Sequence, residues 1–393
     1  MLARWLSGLE PVHRATTREE RESIYRFRYT VYVEELGRRL GTAHHETRTV
    51  WDDDDEAPYT LHMYTGTPQS MTGSLRVRFW EPGRIPEYDF KTFNMQVFPG
   101  IETTRVSEVG RLMIRPSMRG KLLLPAIARA AYEFLVAEFD GVLAFCYGAP
   151  GLVPHYQKLG FRLYDCPLVP TPDGMNIGMV SVLSDGEHLK RVGSPASGLP
   201  ERYFTLARRR RDLERYAHLF NEDALRLEID PARVWERVEH DLTSAGTADD
   251  KPSFLEGLPR DVMRLLTSKG FIVDVSESTL VTREGHGDRE MFVVLEGSFE
   301  VIDQSGRRIA LLAKGDLFGE VAFFRESGRR SATVRAVTDG QVLVIRRRFL
   351  NDLRKDNPRA AAEILFRLGR ILSERLAGVL QERQMSKIAA EEG

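Results

Sequence analysis

Two runs of small, turn-forming residues, Ser194-Pro-Ala-Ser-Gly-Leu-Pro200 and Ser244-Ala-Gly-Thr-Ala-Asp-Asp250, interrupt the hydrophobic patterning of the chain. No single core can run through both breaks, and 393 residues at ~150 per domain agree with two or three domains. Before the first break, strand and helix patterns alternate. After the second, short apolar runs of strand length follow one another closely. Between the breaks the chain is highly charged, yet Tyr203, Leu206, Leu213, Tyr216 and Phe220 keep helical spacing. The expected organisation is a multidomain chain with an α/β domain over 1–193, a charged helical linker over 194–252 and a β-rich domain over 253–393.

The composition narrows the functional classes. With 42% hydrophobic and 29% charged residues the chain can bury full cores, which argues against global disorder. The 56 basic and 57 acidic side chains nearly cancel, so no overall field draws the protein to nucleic acid or anionic lipid. The block Arg208 to Arg211 points all round a helix axis and reads as solvated surface. The only cysteines, Cys146 and Cys166, are not spaced as CxxC, which excludes a disulfide framework or a four-cysteine zinc site and suits a reducing compartment. No histidine pair has ligand spacing, so no metal is expected. Arg4, Glu10 and Pro11 break the N-terminal segment, and no apolar run approaches the ~18 residues of a membrane span, so the expected location is cytoplasmic with no transmembrane segment.

Between Leu112 and Phe161 the pattern reads strand, basic glycine-containing turn, helix, strand, helix. Pro125 suits the first helical position, Ile127, Ala130, Ala131, Phe134 and Leu135 share one face, and Asp140-Gly141 ends the helix. A turn that feeds a helix N-terminus can hold phosphate on free backbone N–H groups. This turn is Ile114-Arg-Pro-Ser-Met-Arg-Gly-Lys121, and His155-Tyr-Gln-Lys-Leu-Gly-Phe161 follows. Both segments resemble the GNAT acyltransferases, except that two glycines of the family loop are Leu122 and Leu124 here. The acyl-homoserine-lactone synthases and N-acyl amino acid synthases relax the loop in a similar way. Other segments are similar to the same branch. Arg26-Phe-Arg-Tyr-Thr-Val-Tyr-Val-Glu-Glu-Leu36 matches their opening helix at Arg28 and Tyr32. Trp51-Asp-Asp-Asp-Asp-Glu-Ala-Pro-Tyr-Thr-Leu61 matches an acidic motif at Asp53 and Glu56. Gly73-Ser-Leu-Arg-Val77 resembles the strand that follows, and Glu108-Val-Gly-Arg111 resembles an E-x-S-R signature with Gly110 in place of serine.

The resemblance implies acyl transfer from a thioester, on acyl carrier protein or coenzyme A, to a small-molecule amine such as an amino acid. Such chemistry needs a neutral amine, a held carbonyl and a proton for the leaving thiol. The implied roles are Glu108 or the Asp53/Glu56 pair to orient or deprotonate the amine, and Arg28 and Arg111 to hold the acidic groups or an acceptor carboxylate. Tyr156 is implied as general acid, and Arg115, Arg119, Gly120 and Lys121 as donor-binding residues. Plainer roles stand beside these: a solvated acidic loop, a structural ion pair for Glu108, and packing for Tyr156. Cys146, in an apolar strand, reads as a buried inert thiol.

From Ser253 onward the apolar runs 271–275, 291–295, 298–302, 309–312, 331–337 and 341–345 suggest an antiparallel jelly roll, with a helix starting near Pro358. Within this block Gly315-Asp-Leu-Phe-Gly-Glu-Val-Ala-Phe-Phe-Arg-Glu-Ser-Gly-Arg-Arg-Ser-Ala-Thr-Val334 closely resembles the phosphate cassette of cyclic nucleotide-binding domains. The resemblance implies that Arg330 meets the cyclic phosphate and Glu320 the ribose hydroxyl. Gly319 would allow close approach, and Ser331 and Ala332 would supply donors. Cyclic AMP ranks ahead of cyclic GMP as the expected regulator. Leu365, Leu368, Leu372, Leu376 and Val379 form a stripe on the last helix that could dock on the sandwich, cover the pocket or pair two copies as a homodimer. No helix-turn-helix module has room after it, so no DNA partner is expected.

The combined expectation is an N-acyltransferase regulated by a cyclic nucleotide. Two alternatives remain: a non-catalytic binding and signalling protein with a decayed acyltransferase fold, and a cyclic-nucleotide-regulated protein lysine acetyltransferase.

Overall fold

The computed structural model describes residues 10–391 apart from 39, 121, 165–168, 172–173, 221–226, 229–230, 245–253, 256–257, 269, 286–289 and 326–328, with side chains of the last helix described as far as residue 377. Lys121, Cys166 and the side chain of Val379 lie outside the described residues. The chain forms two compact units, residues 1–226 with 280–287 and residues 227–279 with 288–393.

The first unit is a twisted mixed sheet flanked by helices. Its strands are β1 (Val12–Arg14), β2 (Thr60–Thr67), β3 (Ser70–Trp80), β4 (Val106–Ile114), β5 (Leu143–Gly148), β6 (Arg162–Leu163) and β7 (Gly174–Val182), arranged β1-β2-β3-β4-β5-β7-β6. Every neighbouring pair along this path is antiparallel except β4 and β5. Parallel neighbours need a crossover, and the helix α2 (Leu123–Ala137) supplies it. Leu123, Ile127, Ala131 and Leu135 recur every four residues and form its buried face. The helix starts two residues before Pro125, which therefore occupies the third helical position, where an N–H would still lack an intrahelical partner. Ahead of the sheet runs α1 (Arg18–Tyr29), started by a capping box in which Thr17 accepts from the Glu20 N–H and Glu20 accepts from the Thr17 N–H.

Two irregularities in this sheet shape the space beside it. The parallel register runs from Val106↔Leu143 to Glu108↔Phe145 and stops there, so β4 and β5 lose their pairing beyond Glu108. On the other side of β4, the register with β3 jumps from Ser74↔Met113 to Arg76↔Gly110, placing Arg111 and Leu112 opposite Leu75 alone. This is a β-bulge, and Arg111 adopts a left-handed φ of 52° within it. A bulge re-aims the side chains it carries.

The stretch expected as a linker is divided between the units. Helix α4 (Leu206–Tyr216), after an N-cap at Thr205, sends Tyr216 into the first core among Phe93, Phe98, Phe145 and Tyr164. Arg208 pairs with Asp140 of the same unit. Helix α5 (Pro231–Ser244) instead buries Val234, Trp235 and Val238 in the core of the second unit. Helical spacing shows that a segment packs; it does not show which core receives it.

The second unit is β-rich with flanking helices. Strands β8 (Phe271–Val275), β14 (Gly340–Arg346), β9 (Glu290–Glu296) and β12 (Leu317–Phe318) pair antiparallel in that order, and β10 (Phe299–Ile302) lies between β11 (Arg308–Leu312) and β13 (Thr333–Ala336). Met291, Val293, Leu343 and Ile345 pack against helices α6 (Arg260–Thr267), α8 (Arg347–Asp356) and α9 (Pro358–Glu391). On α9 the buried face is Ala361, Ile364, Leu368 and Ile371, with Leu365 only partly buried. The expected leucine stripe is thus offset by about one position. Leu376 is 61% exposed, so the stripe does not continue to it as a docked face.

Candidate functional site

In the first unit the acidic segment Asp52 to Glu56 meets the arginines of three other elements. Asp52 caps a single 3-10 turn, Asp53–Glu56, through reciprocal bonds with Asp55. Residues three apart eclipse in such a turn, so Asp52 and Asp55 face the same way. Asp55 is buried: its carboxylate meets Arg28 Nη1 at 2.8 Å and Arg76 Nη1 at 3.1 Å. Asp52 meets Arg76 Nη1 at 3.0 Å and Arg111 Nη2 at 2.6 Å. Asp53 is exposed, while Glu56, also exposed, takes the Tyr25 hydroxyl at 2.8 Å and Arg21 at 3.3 Å. The cluster therefore uses Asp52 and Asp55, each one residue before the expected Asp53 and Glu56.

The electrostatics follow from burial and pairing. Burial opposes ionisation of Asp55, but the charges of Arg28, Arg76 and Arg111 hold it well below the usual carboxylate range. His62 donates from Nε2 to the Asp55 carbonyl at 2.9 Å and accepts from Arg28 at Nδ1 over 3.2 Å. Burial, helped by the Arg28 charge, pushes His62 down to about 4, which agrees with this neutral tautomer.

Glu108 sits where β4 and β5 part. Its Oε2 meets Arg78 Nε at 3.0 Å and Arg76 Nη2 at 3.9 Å, and it forms no pair with Arg111. Its Oε1 accepts no hydrogen bond among the described residues and lies against Gly110, where an added Cβ would stand 2.0 Å away. Glycine in place of the expected serine is what lets the carboxylate fold over this strand. Arg78 also binds Asp89 and Asp54, fixing the position of Glu108 from behind.

A narrow apolar cleft lies between the sheet and α2, on the face away from the Glu108 side chain. Val109 and Leu112 of β4, Ala131 and Leu135 of α2, and Tyr156 and Leu159 of helix α3 (Val153–Leu159) line it. Tyr156 rests on Gly148, where a Cβ would come within 2.8 Å of its ring, and its hydroxyl makes no hydrogen bond among the described residues. Burial raises its pKa far above the ordinary phenol value, so the phenol keeps its proton. The neighbouring Tyr147 is pushed up to about 12 by burial and by the Glu108 charge.

Two of the expected donor-binding residues, Arg115 and Arg119, are already engaged within the protein. Arg115 donates to the Met71 carbonyl at 2.7 Å, and Arg119 forms a two-bond fork with Glu35 at 2.5 and 2.9 Å. Gly120 has a φ of 81° and nothing within 4 Å of an added Cβ. Leu122, the N-cap of α2, offers no side-chain cap.

In the second unit Gly319 ends β12 with a φ of 82° and caps the short helix α7 (Glu320–Phe324). A Cβ there would lie 2.5 Å from Arg330 Nη1 and 2.9 Å from the Glu290 carbonyl, so both backbone shape and close approach require glycine. Arg330, 4% exposed, donates from Nη1 to the carbonyls of Glu290 (2.7 Å) and Gly319 (3.2 Å), stacks over Phe292, and holds Nη2 3.6 Å from the Glu290 carboxylate. Glu320, 7% exposed, accepts Arg375 Nη1 of α9 at 3.0 Å. The N–H groups of Ser331 and Ala332 make no hydrogen bond among the described residues. One buried guanidinium, one buried carboxylate and two backbone donors without a hydrogen bond among the described residues thus lie within one stretch of 14 residues, 319–332.

Residues 272–357 match the family model for the cyclic nucleotide-binding domain. The domain includes Gly319, Glu320, Arg330, Ser331 and Ala332. The cAMP-activated global transcriptional regulator CRP of Salmonella typhimurium is 34% identical over 105 residues, 26% of this chain and 48% of that protein. The chain spans about half the length of the curated relatives it matches. Among solved structures, an N-acyl amino acid synthase from uncultured soil microbes is similar at 10% identity and a TM-score of 0.37, over 47% of this chain and 97% of that one. A CoA-dependent acyl-homoserine lactone synthase is similar at 14% identity and a TM-score of 0.39, over 48% and 92%.

Sequence reasoning missed Asp52, Asp55, His62, Arg76 and Arg78 in the first unit and Glu290 and Arg375 in the second. Arg76 and Arg78 carried a readable signal: they alternate within the otherwise apolar run Leu75–Trp80, so both point to one face and need buried carboxylates there. No comparable signal marks Glu290. Among the described residues no group of three or more His, Cys, Asp and Glu side chains is placed to hold a metal, and no helix is long and apolar enough to cross a membrane.

Proposed function

We propose that the chain is a cytoplasmic N-acyltransferase that moves an acyl group from a thioester to a small-molecule amine such as an amino acid, under control of a cyclic nucleotide bound by the second unit. The observation that carries this reading is Glu108, which takes the last paired position of β4 and β5 and keeps one carboxylate oxygen without a hydrogen bond among the described residues; an apolar cleft lies across the sheet from it, under α2. The apolar lining suits an alkyl chain, and Glu108 Oε1 takes the proton of the attacking amine. The amine nitrogen bonds to the carbonyl carbon, the carbon–sulfur bond breaks, and the leaving sulfur is protonated by Tyr156, which regains a proton from Glu108 through solvent so that both groups return to their resting forms. Arg28, Arg76 and Arg78 act through the carboxylates they hold; Asp53 and Glu56 stand outside this arrangement.

The two-bond pairing of Arg119 with Glu35 favours a donor recognised more by its acyl chain than by a diphosphate. Acyl carrier protein is therefore the first donor to try, with acyl-coenzyme A second. In the sensor, cyclic AMP is proposed ahead of cyclic GMP, with Arg330 on the phosphate and Glu320 on the ribose. The test is mass-spectrometric detection of N-acyl product from acyl carrier protein and coenzyme A thioesters with a panel of amino acids, with and without cyclic AMP. Product from the parent should fall about 100-fold or more in Glu108→Gln, the lower end of the range for loss of a positioned general base. Equal product from a folded Glu108→Gln would remove Glu108 from the chemistry.

A further inference from the structure

Both polar anchors of the nucleotide pocket already hold a partner of the charge opposite to their own. Arg330, which would meet the cyclic phosphate, has the Glu290 carboxylate 3.6 Å from Nη2 and the Glu290 carbonyl 2.7 Å from Nη1. Glu320, which would meet the ribose hydroxyls, receives Arg375 at 3.0 Å. Glu290 opens β9, and its side chain is 19% exposed, so it is the member of the pair nearer to solvent. Arg330 is far less free: its side chain is 2% exposed and is packed over Phe292 beside Gly319. The guanidinium is the more deeply buried member of the pair, and the carboxylate is the more exposed one.

We infer that Glu290 sets the affinity of the pocket for anionic ligands by competing with the ligand's phosphate for Arg330. The inference rests on the cyclic nucleotide reading and adds to it a residue outside the 315–334 cassette. A phosphate approaching Arg330 must displace the Glu290 carboxylate or bind beside it. In the first case an existing ion pair is lost; in the second, two like charges sit within a few ångströms at a site of low dielectric. Either way the negative charge of Glu290 opposes binding. Glutamine keeps the shape and a carbonyl oxygen for Arg330 while removing that charge, and the two backbone carbonyls that hold Nη1 stay in place.

The test is calorimetric titration of the full chain with cyclic AMP for the parent, Glu290→Gln, Glu290→Asp and Arg330→Ala, each shown to be folded by thermal unfolding. Glu290→Gln should bind about 10-fold more tightly, the scale of one close like-charge contact removed from an interface. Glu290→Asp, whose shorter arm draws the charge back, should fall between Glu290→Gln and the parent, and Arg330→Ala should lose binding. Binding in Glu290→Gln with none measurable in the parent would support the inference in its strongest form. Equal affinity of parent and Glu290→Gln, with Arg330→Ala still losing binding, overturns the inference and leaves the cyclic nucleotide reading intact. No binding in the parent or in Glu290→Gln overturns that reading and the inference with it.

Discussion

The two units hold their charged side chains in different ways. In the second unit, Gly319, Glu320, Arg330, Ser331 and Ala332 all come from one strand-to-loop segment, where the guanidinium meets Glu290 and the carboxylate meets Arg375. In the first, Arg28, Asp52, Asp55, Arg76, Arg78, Asp89 and Glu108 come from a helix, a 3-10 turn, two strands and another helix, and most of their polar atoms meet one another. One arrangement is compact in sequence and pairs each buried charge with a single opposite charge. The other is a lattice of support that leaves a single oxygen, Glu108 Oε1, without a partner among the described residues.

The comparison breaks most easily at Asp55. Removing its charge leaves Arg28 and Arg76 buried and uncompensated, so Asp55→Asn should destabilise the first unit by about 3–5 kcal/mol in denaturant unfolding. A loss below about 1 kcal/mol would mean that water reaches the cluster. Arg330→Ala should remove nucleotide binding at a smaller cost in stability, about 1–3 kcal/mol, because it leaves two backbone carbonyls without their donor but only one, partly exposed, carboxylate without its charge partner.

An acid titration sharpens the contrast. His62 has its folded pKa lowered from 6.5 to about 4, so its neutral form is favoured in the folded state. Its contribution is complete above pH 6.5 and is lost as the pH falls toward 4, with a total of about 3 kcal/mol at 1.36 kcal/mol per unit. His62→Gln should flatten that part of the stability profile of the first unit. A slope unchanged by the substitution would assign the acid sensitivity to other groups. The smallest effect is expected at Asp53: Asp53→Asn should change stability by less than about 0.5 kcal/mol and leave turnover unaltered, because its side chain is exposed.

The same contrast explains what was legible in the sequence. The alternation of strand and helix before Phe161 and the six strands after Ser253 appear as expected because each depends on local periodicity, and the cassette residues converge because they are close in sequence. The acidic pair was read one residue late: spacing alone cannot tell which members of Trp51-Asp-Asp-Asp-Asp-Glu56 face inward, and the capped 3-10 turn decides that Asp52 and Asp55 do. Likewise the stripe on α9 was offset because adjacent apolar residues on a helix both satisfy a loose repeat, and only packing selects Ile364, Leu368 and Ile371. Glu290 and Arg375 reach the pocket from other strands and helices, 40 and 55 residues from the anchors they touch. That separation leaves no motif to read.

The central claim is that one chain joins an acyl-transferring unit to a nucleotide sensor. Its most direct test is the rate of N-acyl product formation by the full chain with and without cyclic AMP, for the parent and for Arg330→Ala. The account predicts that cyclic AMP changes the rate of the parent, in either direction, and leaves the rate of Arg330→Ala unchanged. A parent that binds cyclic AMP and turns over at the same rate with and without it would contradict that claim.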